Sequence, residues 1–201
     1  MDMHIYRLRF LRALVFGGII LAAFIFCFYE LTQVNKSKKN TVSSAAAIAA
    51  SFTASPNTSS VSFLNEGVTN SDTDHRSIKI TVSSSSVVLS VYKGYTYQTL
   101  STQSFANNQT SYLEFLHAIY NLGYTSERAR PAVRSIAGQC PFGQKFTYSS
   151  DSISHAPASL WTTTCIGAGA GTFSGKTQSI NTLFQNQVPG YGNLVNQVNL
   201  N

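Results

Sequence analysis

The sequence predicts an α+β protein: a small antiparallel sheet packed with two helices and one disulfide, carried on a flexible stalk by an N-terminal transmembrane helix. Three observations predict it. A long apolar run without a charge lies near the N-terminus, and a Ser/Thr/Ala-rich stretch follows it. Beyond that stretch, hydrophobic alternation of period two gives way to helical spacing, with two cysteines set around a hairpin pattern.

The apolar run is ALVFGGIILAAFIFCFY, Ala13 to Tyr29, 17 residues without a charge. With Leu11 and Leu31 on its flanks it reaches about 20 residues, enough as a helix to cross a ~30 Å hydrocarbon core with its backbone bonds closed internally. We assign 1–11 as a cytoplasmic stub and 12–31 as a lipid-embedded anchor. A cleaved signal peptide would have a shorter core and a small-x-small site directly after it, whereas here Phe28-Tyr29-Glu30 follows. A lipoprotein would use Cys27, but bulky Phe26 precedes it, and a pilin would carry its acidic residue near the start of the run.

The charge is distributed in keeping with this. The chain has a formal net charge of +6, of which residues 1–40 hold six basic and two acidic side chains and residues 41–201 hold eight basic and six acidic. The excess flanks the apolar run, where it suits anionic headgroups, so the domain is not expected to bind nucleic acid. Arg7, Arg9 and Arg12 favour a cytoplasmic N-terminus, while Lys36, Lys38 and Lys39 pull the other way.

Residues 32–60 read as a stalk. They are poor in large apolar side chains and rich in Ser, Thr, Ala and Asn, so they bury too little surface to offset their ordering entropy. As a flexible tether they would span roughly 30 Å.

Residues 61–201 form the predicted extracytoplasmic domain. In RSIKITV, Ile78, Ile80 and Val82 alternate with Lys79 and Thr81, a half-buried strand. SVVLSVY (86–92) is a second strand, and Lys93-Gly94 separates it from YTYQTL (95–100) as in a hairpin. Tyr92, Tyr95 and Tyr97 are expected to pack across strands, a stacking platform for sugars or bases being the rival account. SYLEFLHAIYNLG (111–123) is the strongest helix, with Ser111 and Glu114 as a capping box and Gly123 at the C-cap. Tyr112, Leu113, Leu116, Ile119 and Tyr120 share its apolar face, with His117 partly buried among them. TQSINTLFQNQVPGY (177–191) puts Ile180, Leu183, Phe184 and Val188 on one stripe ended by Pro189, a second helix docking on the core.

Cys140 and Cys165 bracket two strand patterns, Phe146 to Tyr148 and Leu160 to Thr164, around the turn-like SSDS (149–152). Their midpoint falls beside that turn, so they would face each other at the open end of a hairpin and form a disulfide. A bridge over about 25 residues contributes roughly 3 kcal/mol by the chain-entropy estimate. Such bridges persist in oxidising compartments, which resolves the orientation: N-terminus inside, domain outside.

The same placement disposes of AGTFSGKT (170–177), which fits a loose phosphate-loop pattern. The motif needs a preceding strand and a helix within a larger parallel sheet, only 24 residues follow Thr177, and no acidic residue follows Asp151 to serve a magnesium ion. No nucleotide is expected. DTDH (72–75) offers Asp72, Asp74 and His75, but an exposed turn beside Arg76 reads as a solvated loop rather than a metal site. Arg128, Arg130 and Arg134 around Pro131 read as a solvated, partly helical face. No catalytic set, metal or cofactor is expected.

Two resemblances remain. LWTTTC (160–165) is similar to the Thr-x-Thr-Cys signature of sortases, anchored transpeptidases with a small β-barrel. That resemblance implies a Cys165 nucleophile with His117 or His155 as its base. The family's arginine shortly after the cysteine is missing here, Lys176 being the only basic residue downstream. CPFG, LWTTTC, GTFSGK and LFQNQVPGYGNL, taken in order over roughly residues 105–200, resemble uncharacterised single-pass surface proteins of reduced-genome bacteria of the Saccharibacteria type. That resemblance implies an anchored bacterial surface protein and brings no activity with it.

Overall fold

The computed structural model of the chain describes residues 59–152, 155–165 and 171–200, with the side chains of 152 and 155–158 left aside. The predicted stub, the anchor over 12–31 and all but the last two stalk positions lie outside the described residues, among which no helix is long and apolar enough to cross a membrane.

Six strands form one antiparallel sheet: β1 (Ser59–Glu66), β2 (Arg76–Ser83), β3 (Ser86–Lys93), β4 (Gln98–Ala106), β5 (Lys145–Ser152) and β6 (His155–Thr163). Their spatial order is β4-β3-β2-β1-β5-β6. A four-strand meander thus runs outward from β1, and the β5–β6 hairpin returns to β1's other side. β1 takes Ser59 and Ser60 from the end of the stretch read as stalk and is bonded along both edges, to β2 and β5.

Alternation decides which face is buried. Val61 pairs with Val82, Phe63 with Ile80 and Tyr148, and Ile80 with Leu89, so every second residue of β1, β2, β3 and β5 meets its like on one face. Three helices follow in chain order: α1 (Gln109–Asn121), α2 (Thr177–Asn186) and the short α3 (Tyr191–Val195). The buried core joins the inward residues of the sheet to Tyr112, Phe115, Leu116 and Ile119 of α1 and to Ile180 and Phe184 of α2. Phe184 is its hub, with ring centroids 5.7 Å from Phe63, 5.1 Å from Phe115 and 5.8 Å from Tyr124. The result is an antiparallel sheet with helices on its apolar face, an α+β arrangement.

Several local expectations are corrected. Helix α1 starts at Gln109 and is capped by Asn108, whose side chain accepts from the Ser111 amide at 3.0 Å, so Ser111 is not the cap. Its C-terminus closes as expected: the Gly123 amide donates to Tyr120 O and the Tyr124 amide to Ile119 O, with Gly123 left-handed at φ 85°. The buried face includes Phe115, whereas Tyr120 and His117 are exposed, so His117 is no core residue. YTYQTL is not a strand from its first residue, because Lys93 pairs with Gln98 and Tyr95 and Tyr97 stand in the connection. SSDS belongs to β5, and the hairpin closes beyond it, between Ser152 and His155. Residues around Arg128, Arg130 and Arg134 form no helix; Glu127 bridges Phe173 instead. Helix α2 ends at Asn186, and Val188 is buried just past its end.

The disulfide is present: Cys140 and Cys165 are joined with Cα atoms 5.5 Å apart. The route to it differs from the symmetric one. Lys145 pairs with Thr163, and continuing that register puts Gly143, not Cys140, opposite Cys165. The chain turns back at 140–143, with the Gly143 amide donating to Cys140 O, and Cys140 adopts a left-handed φ of 51°. A Cβ on residue 143 would lie 2.6 Å from the Cys140 sulfur, so glycine there makes room for the bridge.

Candidate functional site

One end of the sheet gathers the β1–β2 loop (67–75), the β3–β4 connection (94–97), the turn before β5 and the disulfide. The loops are linked by both backbone and side-chain contacts. Thr69 donates to Pro141 O at 2.8 Å, and the Asn70 amide donates to the Tyr95 hydroxyl, which in turn donates to Asn70 O. Asp72 Oδ1 accepts from the Tyr95 amide at 2.8 Å, and His75 stacks on the Tyr95 ring with centroids 4.1 Å apart. Tyr95 is therefore held at its amide, its ring and its hydroxyl while 44% exposed.

Tyr97 is fixed by another route. Its left-handed backbone, φ 56°, is one that a bulky residue adopts at a cost of roughly 1 kcal/mol. The turn aims its ring back across the sheet, where the hydroxyl donates to Glu66 Oε1 at 2.9 Å and the ring meets Tyr92 edge-on at 5.9 Å. Burial, and then the Glu66 charge and hydrogen bond, push the Tyr97 phenol well above its ordinary pKa, so it stays a neutral donor. Beside these rings Leu100 is 50% exposed, and in the turn after Cys140 Phe142 is 92% exposed. Of these, Tyr95 and Tyr97 are held in place while exposed, so they can stack on a ligand at little entropic cost. Of the cross-strand packing expected of the three tyrosines, the contact formed is Tyr92 against the turn residue Tyr97, while Tyr95 stacks on His75.

Beneath them runs a polar row on the face away from the core, Tyr92, Ser77, Glu66 and Lys145 on adjacent strands. Glu66 and Lys145 are each 8% exposed, and Lys145 Nζ approaches Thr69 Oγ1 at 3.5 Å. Four buried polar atoms without a partner lie in the same stretch: Asn65 Oδ1, Asn70 Oδ1, His75 Nε2 and Ser77 Oγ.

The DTDH segment is the exposed turn expected through Asp74, but it also serves as a brace, and its His75 is buried. Asp74 accepts from the Ser71 hydroxyl, Asp72 holds the Tyr95 amide, and the fully buried His75 ring places Nδ1 3.1 Å from Val68 O. A neutral ring then carries its proton on Nδ1. Among the described residues no group of three His, Cys, Asp or Glu side chains is placed to hold a metal.

The glycine loop is also structural. Of AGTFSGKT, the Phe173 amide donates to Trp161 O, Ser174 to Ser126 O, Lys176 to Leu122 O and Thr177 to Gly175 O. Those four amides are engaged within the fold. Gly175 is there for a close crossing, since a Cβ would stand 2.3 Å from Gly123 O. Of the sortase-like set, Cys165 is bonded to Cys140, His117 faces solvent on α1, and the side chain of His155 is outside the described residues.

Sequence reasoning found the disulfide, singled out Tyr92, Tyr95 and Tyr97 but favoured cross-strand packing for them, and missed Glu66, Asn70, Leu100 and Phe142. A Pro-Phe-Gly turn after a cysteine was the available signal for Phe142. Glu66 meets Tyr97 31 residues away, and nothing local announces that contact. No protein-family model and no curated protein matches this chain.

Proposed function

We propose that this chain is a membrane-anchored, extracytoplasmic binding module of a bacterial cell surface, engaging an envelope or surface partner through Tyr95, Tyr97, Leu100 and Phe142. The lipid bilayer would be contacted through residues 12–31, with the N-terminus cytoplasmic. The observation that carries the reading is the Cys140–Cys165 bond. It belongs to an oxidising compartment, and it occupies the sulfur that a cysteine transpeptidase would need free. The engaged amides of the glycine loop support a module without a nucleotide, and the braced, exposed rings supply a contact surface.

Two measurements test it. Thiol labelling and peptide mass spectrometry of the unreduced protein are expected to find Cys140 and Cys165 joined. Two free thiols would remove the reading and return Cys165 to candidacy as a sortase-like nucleophile. Leu100→Ser with Phe142→Ser, both at exposed positions, is expected to cut capture of cross-linked envelope partners while the thermal midpoint holds. Undiminished capture would place the contact surface elsewhere.

A further inference from the structure

The hydroxyl and the amide of Tyr95 are both engaged within the loop end. The hydroxyl donates to Asn70 O at 3.0 Å and accepts from the Asn70 amide at 3.2 Å, while the Tyr95 amide donates to Asp72 Oδ1. Fully buried His75 backs one face of the ring at 13° between planes, so the exposure of Tyr95 falls on the ring's other side. The residue therefore presents to solvent an apolar ring face in a fixed orientation. Hydrogen-bond capacity lies beside it. Among the described residues, exposed Asp72 is bonded through Oδ1 alone, and Asn70 Oδ1 has no partner. Tyr97, two residues on, likewise directs its hydroxyl inward, to Glu66, while its ring is 42% exposed. The charges of this end balance: Glu66, Asp72 and Asp74 stand against Arg76, Lys93 and Lys145.

We propose that Tyr95 is the stacking platform of a carbohydrate site, which takes a neutral, hydroxyl-rich sugar unit of an envelope glycan. This rests on the reading of Tyr95 and Tyr97 as a contact surface and gives that surface its occupant. A pyranose has a face of C–H groups that can cover an aromatic ring and a rim of hydroxyls that donate as well as accept. The rim matches what surrounds Tyr95. A carboxylate oxygen and an amide oxygen only accept, so Asp72 Oδ2 and Asn70 Oδ1 call for donors from the ligand. Three other occupants fit less well. A proline-rich peptide offers carbonyls and few amides, so it needs donors from the rings it docks on, and both tyrosine hydroxyls are bonded inward. A nucleotide needs cations for its phosphate, and here the group beside the ring is the Asp72 carboxylate. An ammonium group would be drawn to Asp72 and the ring face. That attraction is already offset by Arg76, whose Nη1 donates to Thr73 O at 2.7 Å and His75 O at 2.9 Å in the same turn.

The test uses the full chain in a polyoxyethylene detergent, which carries no sugar or amine headgroup. Tetrasaccharides of glucose, galactose, mannose and N-acetylglucosamine are titrated by saturation-transfer NMR, with an oligoproline peptide, adenosine monophosphate and tetramethylammonium as rivals. At least one tetrasaccharide is expected to bind at millimolar concentration or below, with an affinity that salt leaves unchanged. Tyr95→Leu is expected to weaken that binding about ten-fold. Asp72→Asn keeps an oxygen for the Tyr95 amide, and is expected to weaken it about three-fold while the thermal midpoint holds. Tyr120→Leu, at an exposed ring on α1, is expected to change nothing. Binding by none of the tetrasaccharides, binding by a rival alone, or sugar binding indifferent to both Tyr95→Leu and Asp72→Asn would overturn the proposal. If no sugar binds while Leu100→Ser with Phe142→Ser still cuts envelope capture, the contact surface stands and its occupant is not a glycan.

Discussion

Tyr112, Tyr124 and Tyr148 place their hydroxyls inside the domain, and each hydroxyl has a partner. Tyr112 donates to Ser59 O at 3.1 Å, Tyr124 lies 3.0 Å from Ser62 O and 2.8 Å from Ser149 O, and Tyr148 donates to Asn181 Oδ1. These contacts fasten β1 and β5 to the helices above them and need the phenols protonated. Burial raises all three pKa values above 10.0, and raises those of Tyr97 and Tyr191 too. Below pH 10 both folded and unfolded chains keep these protons. Above it the unfolded chain loses them first, so the folded state binds more protons and stability falls as pH rises. A cooperative alkaline unfolding is therefore expected above about pH 10, with tyrosinate absorbance and circular dichroism changing together. Tyr124→Phe should cost about 1 kcal/mol at neutral pH and move that transition to higher pH.

Helix α1 shows how a neighbouring element overrides a local signal. The Ser-x-x-Glu pattern starting at Ser111 marks a capping box, yet the helix begins two residues earlier. Asn107 anchors the end of β4 to the β2–β3 turn, its amide donating to Ser85 O and its side chain to Ser83 O. Asn108 is then left with extended backbone, φ −139° and ψ 162°, at the entrance to the helix. Asn108→Ala is expected to destabilise the domain by about 1 kcal/mol in urea titration, whereas Ser111→Ala should be nearly silent. The reverse ranking would restore the capping box. The same override moves SSDS from turn to strand. Ser149 pairs with Ser62 on one side and Ser159 on the other, and a strand bonded along both edges holds residues that alone favour turns.

For the whole molecule the decisive covalent link is Cys140–Cys165, separated by 25 residues. Replacing both cysteines by serine should cost about 3 kcal/mol and lower the thermal midpoint by about 10 °C, with the β5–β6 hairpin and the Phe142 turn loosening first. An unchanged midpoint would mean that backbone pairing alone closes that end. Much of this architecture was legible locally. Ile78, Ile80, Val82 and Ile180 with Phe184 declare their elements by period, and two cysteines around two strand patterns declare their bond. Strand β1 went unread because SSVSFLNE follows a Ser-rich stretch and shows only Val61 and Phe63 as its alternation, although it stands at the middle of the sheet. By itself the sequence determined the elements with strong periodicity and the α+β class, because these follow from spacing along the chain. It paired the right cysteines, but the turn at 140–143 that brings them together was set by the fold. Only tertiary structure decided that β1 is central, that Glu66 and His75 brace Tyr97 and Tyr95, and that β4 is the outermost of the described strands. Each of those depends on residues far apart in the chain, whose meeting is set by burial of the common core and not by any local preference.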